Sequence, residues 1–320
     1  MLTYLRNFFL GIILACGGLI PGVGLQTTAI IVGLYDELLN FFFQISEFFK
    51  TFGQYIMGKA SKVDINTAFT SIDGKLGLPI ILGTALTLLA FTQFIGGLFD
   101  RFPTQISAIS FGIVLACILV PYKELSQRTW REFVLFLATF VAFLTLFSIS
   151  PIEGTIEPSL LLFLVGGFLA SFACLLPGIS VSTVFSYLGI GAAMTSVFAI
   201  IIAGTPTLFA FLALLLFLIG FLVGITISIR LVTYLIKRYK SLFLAFLIGL
   251  MAASLRLLWP FVLTSTAEKI LPWQESLPQF TQQLILITIA FVLVSIVRKF
   301  AENIGTLASS FGPKERTIIN

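Results

Sequence analysis

Long uncharged apolar stretches set the rhythm of this chain. Residues 158–229 contain no charged side chain, and shorter apolar runs occupy 78–98, 105–121, 133–150, 241–259 and 280–297. A bilayer core takes about 20 apolar residues per helix, so each shorter run predicts one spanning helix and 158–229 predicts several passes or hairpins. A further uncharged stretch, 7–35, lies near the start. Between 38 and 57 the pattern changes to Phe and Tyr residues among scattered charges, which predicts an amphipathic helix at the membrane surface.

Two apolar stretches are interrupted alike, at Leu19-Ile20-Pro21-Gly22-Val23 and at Leu175-Leu176-Pro177-Gly178-Ile179. Proline removes a backbone donor and glycine frees the next torsions, so both sites predict broken helices. In lipid, freed N–H and C=O groups survive only where protein or a water-filled cavity covers them. The two breaks, at Pro21 and Pro177, therefore mark the candidate binding site.

The resemblance between the two regions continues along the chain. Pro21, Gly22, Thr27 and Gly33 recur as Pro177, Gly178, Thr183 and Gly189 at an offset of 156, and Arg101, Phe111-Gly112 and Ala116 recur as Arg238, Ile248-Gly249 and Ala253 at an offset of 137. Extra residues in the first copy, in the loop between about 41 and 75, account for the difference. The expected organisation is one membrane domain over 1–320. Within it, repeat 1 spans 1–125, a connecting span and outer loop 126–157, repeat 2 spans 158–260, and a last span with a cytoplasmic tail 261–320.

Charge placement orients this arrangement. Arg6, Lys50, Lys59, Lys62, Lys75, Lys123, Arg128, Arg131, Lys237, Arg238, Lys240, Arg298, Lys299, Lys314 and Arg316 fall to one side of the predicted spans, whereas the opposite connections hold Arg101 and Lys269 with the acidic Glu153 and Glu157. By the positive-inside rule the first group is cytoplasmic, and so are both termini. The first Pro-Gly element is then entered from the cytoplasm and the second from outside, the pattern of an inverted-topology repeat. Arg6 and the run to Ile13-Leu14-Ala15-Cys16 imitate a lipoprotein signal. Because that run continues into the Pro-Gly motif, it reads as part of a span.

Composition confirms the class: 58% of the 320 residues are hydrophobic, 10% are charged and 35 are Phe, with a mean hydropathy of +1.09. The expected fold is an all-α polytopic integral membrane protein, in which two inverted repeats each combine a re-entrant, broken-helix Pro-Gly element with spanning helices. The chain has no histidine, and Cys16, Cys117 and Cys174 lack metal-like spacing. No Gly-x-x-x-x-Gly-Lys-Ser/Thr loop occurs. No metal, cofactor, nucleic acid or catalytic residue is therefore expected.

At these residues the chain resembles the PopT-type family of polyprenyl-phosphate (undecaprenyl phosphate) translocases, formerly a domain of unknown function. Ala15 to Gly24, Thr27 and Gly33-Leu34-Tyr35-Asp36-Glu37 follow its first motif, and Leu176-Pro177-Gly178-Ile179-Ser180-Val181-Ser182 its second. The chain departs from the family where Gly18 replaces an Asp and where Gly24-Leu25-Gln26 replaces Ser-Gly-Gly. The resemblance implies a flippase that recycles undecaprenyl phosphate from the outer to the cytoplasmic leaflet of the cell membrane for envelope polymer synthesis. It names a polyprenyl phosphate lipid as partner, among membrane lipids. A secondary transporter of a small soluble anion and a membrane enzyme acting on a prenyl phosphate are the alternatives.

Moving a lipid phosphate requires an N–H-rich, hydroxyl-rich or cationic path for the headgroup, and helix N-termini supply one. Gly22, Gly24, Gln26, Thr27 and Thr28 after the first break, and Gly178, Ser180, Ser182 and Thr183 after the second, are the candidate substrate contacts. The competing expectation is that these hydroxyls bond back to their own turns. Arg230 and Arg256 either reach the phosphate or snorkel to the interface. Asp36 and Glu37 either cap a neighbouring helix or take part in proton coupling, with at least one of them expected to be simply solvated.

Overall fold

The computed structural model describes residues 2–19, 23–125, 129–149, 151, 158–205, 207–262 and 269–311. Pro21, Gly22, Arg128, Glu153, Glu157, Lys314 and Arg316 lie outside them. Among the described residues the regular secondary structure is helical, with one isolated bridge between Val262 and Lys269. It begins with α1 (Leu2–Leu19), α2 (Gly24–Ile31), α3 (Tyr35–Ile56), α4 (Lys62–Thr70), α5 (Gly74–Arg101) and α6 (Pro103–Glu124). These are followed by α7 (Trp130–Ser148), α8 (Leu160–Ala173), α9 (Val181–Tyr187), α10 (Gly191–Ile202), α11 (Leu208–Ser254) and α12 (Leu277–Phe311). Among the described residues, α6, α7, α11 and the Leu277–Phe300 part of α12 are long and apolar enough to cross a membrane. The pair α9 and α10, bent by 118°, makes a fifth candidate. The chain is a polytopic membrane protein.

The predicted runs at 105–121, 133–150 and 280–297 fall on α6, α7 and α12, and 78–98 falls within α5. The amphipathic stretch 38–57 is α3, whose apolar side packs Leu38 and Phe41 against Leu14, Leu76 and Ile80. One predicted span ends early: 241–259 is helical only to Ser254. The chain then continues in turns to Leu258, with the Arg256 and Leu257 N–H groups bonded three residues back, and the Trp259 ring N–H donates to the Ile270 carbonyl at 2.9 Å, tying the chain to the following loop.

Helix α11 has 47 residues and would extend about 70 Å if unbroken, more than twice a bilayer core. It is interrupted at Tyr239 (φ −137°, ψ 42°), inside the charged group Lys237, Arg238 and Lys240. Phe102 joins α5 to α6 with nearly the same torsions (φ −134°, ψ 50°). Pro103 accounts for the Phe102 break, since it occupies the first turn of α6 and excludes helix at the preceding residue. Residues 102 and 239 are also related by the offset of 137 found in the sequence.

Helix crossings repeat at the same spacings. A Cβ on Gly11 would lie 2.4 Å from the Ile80 carbonyl oxygen and one on Gly83 2.2 Å from that of Phe8, so α1 and α5 touch backbone to backbone. Gly167 and Gly220 do the same for α8 and α11, each with a Cβ position 2.0 Å from the Phe217 and Leu164 carbonyl oxygens respectively. Gly11 and Phe8 map onto Gly167 and Leu164 by 156, and Gly83 and Ile80 onto Gly220 and Phe217 by 137. Gly112 of α6 abuts Ile287 of α12, while Gly249 of α11 abuts Phe136 of α7. Helix α7 thus packs on the half that follows it, and α12 returns to pack on the first half.

Candidate functional site

The start of α2, which follows the first Pro-Gly motif in sequence, meets the second break in the interior. After the first break the chain enters α2 at Gly24, whose positive φ of 69° suits only glycine. The next turns bury Gln26, Thr27 and Thr28 at 4%, 0% and 5% exposure. The two N–H groups of the Gln26 amide are shared among three carbonyls around the second break, those of Ala173, Leu176 (2.9 Å) and Ile179 (2.6 Å). Those carbonyls lie at the end of α8 and in the segment between α8 and α9, where the helical ladder is interrupted, and a buried unpaired carbonyl is costly. Tyr35, at the start of α3, adds an O–H donated to Leu175 at 2.8 Å. The second break is held together by side chains of α2 and α3.

The hydroxyls behave differently. Thr28 donates to its own turn at Gly24, 3.0 Å away. Ser180 caps α9 by accepting from the Thr183 N–H at 3.2 Å and pairs with the hydroxyls of Ser182 and Thr183 at 2.8 Å. Thr27 is the exception: its Oγ1 is buried with no hydrogen-bond partner among the described residues. Gly178 (φ 96°) packs against α11, where a Cβ would meet Met251 at 3.0 Å.

A partly open cavity of about 770 Å³ lies beside this junction. Pro177 and Gly33 form part of its wall, and Ile30, Ile31, Leu244 and Leu247 give it an apolar side. Its charged rim brings Asp36 together with Glu124 at the end of α6, Lys237 and Lys240 around the α11 break, and Arg298 of α12. Glu124 and Lys240 form an ion pair at 3.2 Å. Asp36 remains accessible through the open side, yet the surrounding protein desolvates its carboxyl and raises its pKa. The Glu124 charge raises it further, and Lys240 partly offsets both. Glu37 is raised mainly by burial, with Arg6 acting the other way.

A profile of the undecaprenyl phosphate translocase-like family matches residues 5–276. The chain belongs to this family. It is also 25% identical to a polyprenyl-phosphate transporter of Vibrio cholerae serotype O1, over 94% of this chain and 98% of that protein. No solved structure matches it.

In this translocase-like chain the sequence-derived candidates separate into groups. Gln26 and Pro177 sit at the junction and Asp36 on the cavity rim, while Thr28, Ser180, Ser182 and Thr183 satisfy local turns. Arg230 turns away from the cavity and donates from Nη2 to Glu47 of α3 at 2.8 Å. Arg256 lies just beyond α11, where its backbone carbonyl accepts from the Lys269 ammonium at 2.6 Å. The cavity cations Lys237, Lys240 and Arg298 were legible in the sequence only as markers of sidedness. Glu47 and Glu124 carried no signal, because their partners are distant in sequence.

Proposed function

We propose that this protein is a flippase that returns undecaprenyl phosphate from the outer to the cytoplasmic leaflet of the cell membrane, for reuse in cell-envelope polymer synthesis. The observation that carries the reading is the cavity between the second break and the end of α2. It combines three cations with an apolar wall, which suits an anionic headgroup on an isoprenoid tail. Family membership and the printed name of the Vibrio cholerae relative support the same substrate class.

Transport in this reading is alternating access between two inverted-topology repeats, each with a re-entrant Pro-Gly element, and both termini are cytoplasmic. The paired glycine crossings, the matched Phe102 and Tyr239 breaks and the reciprocal packing of α7 and α12 support the repeat. Lys237, Lys240 and Arg298 receive the headgroup on the cytoplasmic side. Gln26 and Pro177 form the joint about which the halves move, and Thr27 offers its unpaired hydroxyl near that joint. Asp36 is the candidate coupling group, because its desolvated carboxyl changes protonation more readily than a solvated one. The headgroup leaves chemically unchanged, so the protein is a carrier and not an enzyme.

Reconstitution into liposomes with undecaprenyl phosphate and a leaflet-specific headgroup assay tests this. Protein-dependent leaflet exchange, lost in Lys240→Gln, is expected. Headgroup cleavage without exchange would establish the enzyme, and transport of soluble phosphate without lipid movement would establish the small-anion carrier.

A further inference from the structure

The cavity is not simply cationic. Glu124 already occupies Lys240 at 3.2 Å, and Asp36 faces the same space. The Glu124 and Lys240 side chains are 52% and 59% exposed, and ion pairs so exposed contribute about 0–1 kcal/mol to stability. Folding therefore gives little reason to place a carboxylate on the cation that a phosphate would use. Among the described lining residues, the cations Lys237, Lys240 and Arg298 share the space with the carboxylates Asp36 and Glu124.

That balance distinguishes headgroups. A phosphate monoester carries about 1.5 to 2 negative charges near neutral pH, and a diphosphate ester carries more. Beside an apolar wall, charge is screened somewhat less than in bulk water, so each carboxylate left facing an added phosphate opposes it. We propose that Glu124 and Asp36 are specificity-determining residues that admit a lipid monophosphate and reject a lipid diphosphate. This rests on the polyprenyl-phosphate reading above and assigns its selectivity to named groups. The monophosphate replaces the Glu124 carboxylate on Lys240. A diphosphate would need further cations, and it would meet the displaced Glu124 and Asp36 instead. Asp36 is within electrostatic reach of both Glu124 and Lys240, so the two carboxylates act on one ligand. Rejection by repulsion is a common way to separate two otherwise similar partners.

The test compares binding of undecaprenyl monophosphate and undecaprenyl diphosphate to the full chain in nanodiscs. The wild-type protein should prefer the monophosphate. Glu124→Gln and Asp36→Asn, both near-isosteric, should each raise diphosphate affinity about tenfold and narrow the preference. Lys240→Gln should weaken both ligands. A wild-type preference retained unchanged in both carboxylate variants, with melting temperatures preserved, overturns the inference alone. Failure of the wild-type protein to bind the monophosphate overturns the transport reading and the inference with it.

Discussion

Gln26 shows how a single residue gains a role that its type does not announce. Its position after a Pro-Gly break suggests a headgroup contact, but its amide is committed to the carbonyls of Ala173, Leu176 and Ile179. A buried acceptor left without a partner costs about 1–3 kcal/mol, so Gln26→Leu, which keeps the bulk and removes the donors, should destabilise the protein by at least that amount. Thermal unfolding in detergent reads the effect. A Gln26→Leu protein as stable as wild type would show that the clamp contributes nothing. Gln26→Glu should be at least as damaging, since it turns carboxylate oxygens toward carbonyl oxygens. Arg230 teaches a related lesson, because its position in the sequence allows snorkelling or ligand binding and the fold provides a third arrangement, the ion pair with Glu47.

At the scale of elements, glycine has opposite meanings at different places. Gly167 and Gly220 let α8 and α11 touch backbone to backbone, with no room for a methyl group. Gly167→Ala should push the helices apart and cost about 1–3 kcal/mol, as overpacking does. Gly53, inside α3, has nothing within 4 Å of the place a methyl would take, so Gly53→Ala should instead stabilise by about 0.5–1 kcal/mol through helix propensity alone. The paired change in melting temperature, down for one and up for the other, checks both. Equal effects would mean that the α8 and α11 crossing is looser than its geometry. The sequence pattern located most helices because a spanning helix must be apolar along its length. It misplaced the end of the 241–259 run, where the helix gives way to turns after Ser254 and Trp259 bonds to Ile270, a partner eleven residues on.

For the whole molecule, the proposed inverted repeat makes a demand on sidedness. Phe102 and Tyr239 occupy matched one-residue breaks and both are exposed, at 47% and 45%. If the halves are inverted, these residues face opposite sides of the membrane. In a chain lacking Cys16, Cys117 and Cys174, a cysteine at position 102 should label from outside and one at 239 from the cytoplasm, together with one at Lys59. Labelling of 102 and 239 from the same face would exclude the inverted arrangement.

The sequence by itself determined the membrane class, the positions of most helices, the second break and the spacings of 156 and 137 at which similar residues recur. Each follows from local chemistry: apolar length sets spans, Pro and Gly interrupt them, and glycines recur where helices must approach. What only the tertiary structure decided is which groups share a space. Gln26 lies about 150 residues from the carbonyls it binds, and Glu124, Lys240, Asp36 and Arg298 come from four separate helices before they line one cavity. Such partners depend on how helices pack and where their ends fall, and side chains so far apart in sequence carry no periodicity that would announce them.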